Sequence, residues 1–456
     1  MVEDAMVPPD PSRREFIGLG AALGLGAALD PLTHRLEAQA PVPAQAPALL
    51  ATPPLERVRV GVVGVGGMGM VHLENLLLIE GVEVRAIGDI VEWKVARAQD
   101  KVVAYQQPRP GGYSRGPRDF ERMCDEQELD LVLTATPWEW HVPICLAAMR
   151  TGKHAATEVP AAMTVDHCWQ LVEAAERYQR HCVMLENCCY DRREMLALHL
   201  VRRGLLGELL HAECGYLHDL RDLKFSKEGE GLWRRDWSMR HNGNLYPTHG
   251  LGPVAQCMNI NRGNRFDYLV SVSSNSRGLQ LYAAEHFPEG DARRGETFKL
   301  GDINVSLIRT IQGQTIYLVH DTNLPRPYSR INLLQGTRGL MQGWPDRIHV
   351  EGRSPAHQWE PLDPYYQEFE HPLWRSERVR QASGGHGGMD FLELWRLIAC
   401  LRQGVPTDMN VYDAAAWSAM VDLSERSVAN RSRAVDLPDF TRGRWKTTPP
   451  LGIIEG

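Results

Sequence analysis

Gly64-Val65-Gly66-Gly67-Met68-Gly69 stands directly after the β-branched run Val58 to Val63, and Asp89 follows Gly69 by twenty residues. That spacing suits dinucleotide capture. Gly64 permits a tight turn, Gly66 lets the backbone approach a pyrophosphate, and Gly69 lets the next helix pack close on the strand. Gly67 and Met68 then open a helix whose free N–H groups and positive dipole end meet the phosphates. Asp89 can accept hydrogen bonds from both adenine-ribose hydroxyls and disfavours a 2′-phosphate, so the cofactor expected is NAD rather than NADP. A second set lies at Tyr246-Pro247-Thr248-His249. There a phenol and an imidazole sit close enough in a turn to share one substrate. His249 opens an expected helix that continues through Val254 to Met258, and the dipole at a helix N-terminus biases a histidine toward its neutral form, which suits a base.

These residues need elements to hold them. Val58 to Val63 reads as a buried strand, Val82 to Ile87 as a second that delivers Asp89, and Leu129 to Ala135 as a third. In doubly wound sheets the loops at the carboxyl ends of the strands hold the ligand, so Trp138, Glu139, Trp140 and His141 are expected along the cofactor cleft. An amphipathic helix follows from about Val165 to Tyr178, and then a returning segment from Val183 to Asn187. The expected organisation is a Rossmann domain over residues 57–185 and a substrate domain over residues 186–456.

The chain has 456 residues and a formal charge of −7, longer than the roughly 250–300 residues at which one core stops growing. The mild acidity offers no footprint for nucleic acid. Nine cysteines, an odd number that includes the adjacent Cys188 and Cys189, do not read as a disulfide framework. At the N-terminus Ser12-Arg13-Arg14-Glu15-Phe16-Ile17 precedes a weakly apolar run, Gly18 to Leu29, and resembles a twin-arginine export signal. The run is too short for the ~20 residues of a spanning helix, so no stable membrane span is expected, and the protein is expected to be exported to the periplasm. Residues 1–46 are taken as the signal and the start of a linker, with Ala38-Gln39-Ala40 and Ala44-Gln45-Ala46 as alternative cleavage sites. Residues 47–56 complete a Pro/Ala linker.

Beyond the third strand come Thr136-Pro137, Gly152-Lys153-His154, and Glu158-Val159-Pro160. With the glycine string and Asp89, this order resembles the Gfo/Idh/MocA-type oxidoreductases. The resemblance implies an α/β fold: an N-terminal Rossmann doubly wound parallel sheet, and a C-terminal α/β domain with an open, mostly antiparallel sheet that often pairs into a homodimer. In most of that family a lysine stands where this chain has Val159, which argues against an ordinary alcohol dehydrogenase with a lysine acid/base. Glu158, Val159 and Asn187 then fall on the cofactor side.

The second half is more specific. Asn187-Cys188-Cys189-Tyr190, Gly215-Tyr216-Leu217-His218-Asp219-Leu220-Arg221, Arg234-Arg235, Asn244 to Pro253, and Pro325-Arg326-Pro327-Tyr328-Ser329-Arg330 resemble one branch, the NAD-dependent alpha-N-acetylgalactosaminidases of glycoside hydrolase family 109. NAD-dependent glycosidases are an exception to the usual carboxylate pair. The resemblance implies oxidation at C3 of the sugar, elimination across C1 and C2, addition of water, and return of the hydride by the same cofactor. It places Tyr216, Arg234 or Arg235, Tyr246, Pro247, Thr248, His249 and Tyr328 against the glycan or small sugar substrate, with His249, Tyr246 and Tyr328 as the catalytic groups. It also implies no metal, and His211, His218, Asp219 and His241 lack the spacing of a helical metal site. Two alternatives stay open: a net NAD-dependent sugar or polyol dehydrogenase of the same architecture, and a sugar-binding protein that keeps NAD as a structural ligand. Gly384-Gly385-His386-Gly387-Gly388 reads as a flexible turn before a helix from Asp390 to Arg402.

Overall fold

The computed structural model describes residues 49–228, 232–376 and 385–451. The twin-arginine segment, its apolar run and both cleavage sites lie outside the described residues. Of the expected linker, residues 49–56 hold no helix or strand, yet they are docked, with the Leu55 N–H donating to the Leu401 carbonyl at 3.2 Å. No helix among the described residues is long and apolar enough to cross a membrane.

β1 (Val58–Val63) is buried along nearly its whole length, as a central strand covered on both faces must be. It is joined by β2 (Val82–Gly88), β3 (Gly111–Tyr113), β4 (Leu131–Thr134), β5 (His154–Thr157) and β6 (Cys182–Met184) in a parallel six-stranded sheet of order β3-β2-β1-β4-β5-β6. The order reverses between β1 and β4, so a crevice opens beyond their carboxyl ends. β3 has no signature in the sequence, because Gly111-Gly112-Tyr113 offers no apolar run. The helix Val165–Tyr178 occupies its expected span, started by Thr164, whose side chain accepts the His167 N–H.

The second sheet has eight strands: β7 (Leu209–Leu217), β8 (Phe266–Ser273), β9 (Ile303–Thr310), β10 (Thr315–Asp321), β11 (Leu333–Gly336), β12 (Gly339–Gly343), β13 (Asp346–Val350) and β14 (Val435–Asp436), in the order β13-β12-β11-β7-β10-β9-β8-β14. Only β7 and β10 pair in parallel; every other pair is antiparallel. The α/β fold class and the open, mostly antiparallel second sheet are therefore present. On its inner face lie Tyr216 of β7 and His320 of β10, directly paired in register.

The C-terminal helices do not stay with the second sheet. The helix Met389–Gln403 packs on the helix Gly67–Leu78, and Val411–Ser418 packs on Val165–Tyr178. Their contacts are polar as well as apolar. The Tyr412 hydroxyl donates to Glu176 Oε1 at 2.8 Å, and the Ala161 and Val165 N–H groups donate to Ser418 Oγ (3.0 Å) and Asp422 Oδ2 (2.9 Å). Residues 186–456 thus form both the substrate sheet and a helical brace across the Rossmann domain, so the two halves share one continuous core.

Candidate active site

A cavity of about 290 Å³ opens at the crevice between β1 and β4. Gly64, Gly66, Gly67, Met68, Asp89, Trp138, Trp140, His141, Glu158 and Val159 line it. The glycines have separate local reasons. Gly64 sits at φ +83°, where a Cβ would lie 2.7 Å from the Ala135 carbonyl oxygen, and a Cβ on Gly69 would lie 1.7 Å from that of Gly64. At Gly66 and Gly67 a Cβ would meet nothing within 4 Å. That open space, at the start of a helix with no acidic residue in its first turn, is where backbone N–H groups can meet phosphate. Asp89 closes the turn as well, accepting the Val65 N–H through Oδ2 and the Val91 N–H through Oδ1, both at 2.9 Å. Each oxygen keeps a lone pair for a ribose hydroxyl. This donor set fits NAD.

Around the rim, Trp138 is anchored by its indole N–H on the Val159 carbonyl at 3.2 Å. His141 is buried with both ring nitrogens on carbonyls, Pro160 at 2.8 Å and Thr136 at 2.9 Å, which makes it a strut of the wall. Three expected cofactor residues do not line the cavity: Gly69, which packs the first helix against Gly64 beneath it, and two others. Glu139 is exposed on the outer side of its helix, 3.5 Å from the Trp237 indole nitrogen, because successive helical positions face different directions. Asn187 is buried behind the wall, donating to Asp390 Oδ1 at 2.6 Å.

Arg234 and Tyr246 also line the cavity, and they lead into an aromatic wall. Tyr246 lies 4.6 Å from Tyr216 and 4.9 Å from His249 between ring centroids. Tyr328 stands 6.0 Å from Tyr216. Thr248 is fully buried at the start of the helix Thr248–Cys257, Pro247 precedes it, and His249 follows. The arginine pair is resolved by direction. The Arg234 guanidinium lies over the rings of Trp233 (4.5 Å), Trp138 and Tyr246 (both 5.2 Å), whereas Arg235 turns to Glu296 at 3.5 Å. Arg235 is therefore removed from the substrate wall, since neighbouring helical residues point about 100° apart.

Burial shapes the acid–base character of the wall. It pushes the Tyr246 and Tyr328 phenols up, partly offset by Arg234 and by Arg330 respectively. Arg330, held by Asp191 (2.7 Å) and Glu194 (2.8 Å), donates to the Tyr328 oxygen at 2.9 Å. The Tyr328 O–H is then left to donate outward. His218 shares a hydrogen bond with the Tyr216 hydroxyl at 3.0 Å, and burial together with Arg234 lowers its pKa.

Four contributors are not singled out by the sequence: three lie outside its motifs, and Arg330 lies inside one but without an assigned role. His72 meets Glu158 at 2.6 Å. Glu186 meets His249 Nδ1 at 2.7 Å. Arg330 backs Tyr328 as above. Lys224, buried behind Tyr216, donates to Thr322 Oγ1 (2.8 Å) and Asn323 Oδ1 (2.6 Å), and burial plus the charge of Arg234 draws its ammonium down to about 7. Among the described residues the nearest approach to a metal-ligand set is Glu186, Cys188 and His249, with candidate atoms within 4.8 Å of one another. Burial pushes the Cys188 thiol well up, and His249 already spends Nδ1 on Glu186. All nine cysteines are free and buried.

Residues 58–186 match the model of an oxidoreductase family's NAD-binding Rossmann fold. Residues 190–447 match the C-terminal domain of glycosyl hydrolase 109. The chain is 46% identical, over 453 residues covering 97% of it and 98% of the relative, to glycosyl hydrolase family 109 protein 1 of Shewanella sp. (strain MR-4). It is likewise 46% identical over 452 residues to an alpha-N-acetylgalactosaminidase of Shewanella oneidensis, with 97% of this chain and 98% of that one covered. Among solved structures, levoglucosan dehydrogenase in complex with NADH and levoglucosan is similar in fold, with a TM-score of 0.64 at 19% identity over 84% of this chain and 100% of that one.

Proposed function

Because the chain belongs to glycosyl hydrolase family 109, we propose that it removes terminal alpha-linked N-acetylgalactosamine, or a closely related sugar, by oxidation, elimination, hydration and re-reduction with no net redox change. The single observation that carries this reading is continuity. Trp138, Arg234 and Tyr246 line the dinucleotide cavity, and Tyr246 packs directly on Tyr216 and His249. A sugar on that wall lies beside the cofactor site.

NAD held by the Gly64–Gly69 turn and Asp89 would supply a hydride acceptor for C3 of the sugar and the hydride donor for the closing reduction. The chain's own groups do the rest. His249, its Nδ1 engaged by Glu186, offers Nε2 to take a hydroxyl proton. The Tyr328 O–H, directed outward by Arg330, and the Arg234 guanidinium are donors for the oxygen on which negative charge develops once C3 is a ketone. Tyr246 and Tyr216 hold the ring face, and Trp138 closes the approach from the cofactor side. Val159 leaves no ammonium next to Glu158, where most of the superfamily carries a lysine, so proton transfer falls to His249 and the tyrosines.

The test is release of nitrophenol from an aryl alpha-N-acetylgalactosaminide in deuterated water with no NAD added, followed by mass analysis of the sugar. The expected result is free sugar with one deuterium at C2 and no build-up of NADH. NADH formed from sugars and added NAD, without nitrophenol release, would move the assignment to a sugar or polyol dehydrogenase. Binding of sugar without either product would leave a sugar-binding protein.

Two further properties belong to the same proposal. Val272, Ile303 and Leu307 stand exposed on the outer face of the second sheet, and an apolar sheet face of this kind supports a homodimer, checked by the solution mass of wild type and Leu307→Glu. The Arg13-Arg14 segment supports export by the twin-arginine route, checked by whether changing both arginines to lysine keeps the protein in the cytoplasm.

A further inference from the structure

We infer that Glu186 is the positioning residue for His249: it fixes the imidazole in the tautomer that carries its proton on Nδ1 and leaves Nε2 bare toward the aromatic wall. The inference rests on the reading of His249 as a base. Glu186 is fully buried just beyond β6, and among the described residues its one ionic partner is His249. A carboxylate placed there without a partner would be costly, so its location demands the histidine.

The direction of the proton follows from the other bond. Glu186 Oε1 accepts the Cys188 N–H at 3.2 Å as well as facing His249 Nδ1 at 2.7 Å. An oxygen already accepting one N–H is matched by a second donor, so Nδ1 carries the hydrogen. Nε2 has no partner among the described residues, and the ring's open side is flanked by Tyr246 and Tyr216 at 4.9 Å and 5.5 Å between centroids.

The helix that carries His249 is built to be pressed into this place. A Cβ on Gly250 would lie 2.4 Å from the Gly215 nitrogen in β7, and a Cβ on Gly252 would lie 2.9 Å from both Glu186 Cγ and the Trp417 ring. The two glycines flanking Leu251 therefore let the helix sit against the sheet on one side and against Glu186 on the other. His249 is held from both sides, and Glu186 is the contact that sets its protonation pattern.

The experiment uses the full chain with its retained cofactor. Histidine nitrogens are labelled with ¹⁵N, the His249 signals are identified by their loss in His249→Asn, and the coupling pattern assigns the tautomer. The expected wild-type pattern is a protonated Nδ1 and a bare Nε2, a result independent of the reaction catalysed. In Glu186→Gln, close in size but uncharged, that pattern is expected to become mixed. Turnover number is expected to fall about 10²-fold, within the range seen when a histidine's orienting partner is changed, while KM and NAD content stay within about twofold. A wild-type His249 protonated on Nε2 overturns the inference even if Glu186→Gln does not fold. Turnover in Glu186→Gln within threefold of an active wild type also overturns it. Failure of the wild type to release sugar instead counts against the glycosidase reading, with the tautomer still decided by the spectrum.

Discussion

Replacing His72 by Leu tests whether the cofactor cavity depends on an ionised Glu158. His72 is buried in the first helix of the Rossmann domain, with Nε2 2.6 Å from Glu158 Oε1. Burial alone raises the Glu158 carboxyl, but the His72 hydrogen bond and charge, helped by the Val159 N–H, outweigh it and hold the group down at about 2 against an ordinary 4.5. That difference is worth roughly 3 kcal/mol in favour of the ionised form. A carboxyl whose folded value is depressed contributes stability that is present above about 4.5 and is lost as pH falls toward about 2. His72→Leu keeps the bulk and removes the donor, so burial is opposed only by the Val159 N–H and by His141, and the Glu158 value rises. Urea denaturation at pH 7 should show a loss on the order of 3 kcal/mol, a gap that closes as pH drops below 4.5 and the wild type surrenders the same contribution. Sugar release by the variant should decline on the acid side of neutrality, where wild-type Glu158 is still ionised. His72→Gln, which restores a donor, should recover part of both. Equal urea midpoints at pH 7 and superimposable pH profiles would refute the reasoning.

Removing the His249 imidazole by His249→Ala should lower turnover by about 10²–10⁴-fold with NAD still bound; near-normal turnover would take it out of the catalytic set. Asp89→Ala deletes the acceptor that lines the cavity and closes the Val65 and Val91 turn, so the NAD retained per chain after purification should fall, and unchanged content would exclude the ribose role. Arg234→Ala should cost more than tenfold in kcat/KM, of the size expected for losing a charged donor, whereas Arg235→Ala should stay within a few-fold because that side chain turns to Glu296. Equal losses in the two arginine variants would contradict the directions assigned to them.

The Rossmann half was legible because its constraints are local. A turn at positive φ, a close helix–strand approach and an acid at the next strand's end each dictate a residue type at a set offset, so Gly64, Gly69 and Asp89 announce their positions. β3 was not legible, because Gly111-Gly112-Tyr113 is a strand only by virtue of the β2 edge beside it. Glu139 was misplaced for a similar reason: the loop was rightly set at the cavity, but its residues wind into the helix Trp138–Arg150 and only some face inward.

By itself, the sequence determined β1, β2 and β4 of the parallel sheet, the cofactor turn and the stretch that brings Tyr246 and His249 to one helix start. Each is written in residues a few positions apart, where backbone geometry and hydrogen-bond reach limit the choice. Only the tertiary structure decided that Glu186 faces His249 across 63 residues, that Arg330 backs Tyr328, that Arg234 rather than Arg235 reaches the cavity, and that the C-terminal helices brace the Rossmann domain. Those outcomes depend on which buried polar groups meet when distant segments pack. A buried carboxylate has no preference for a partner until the fold leaves it only one.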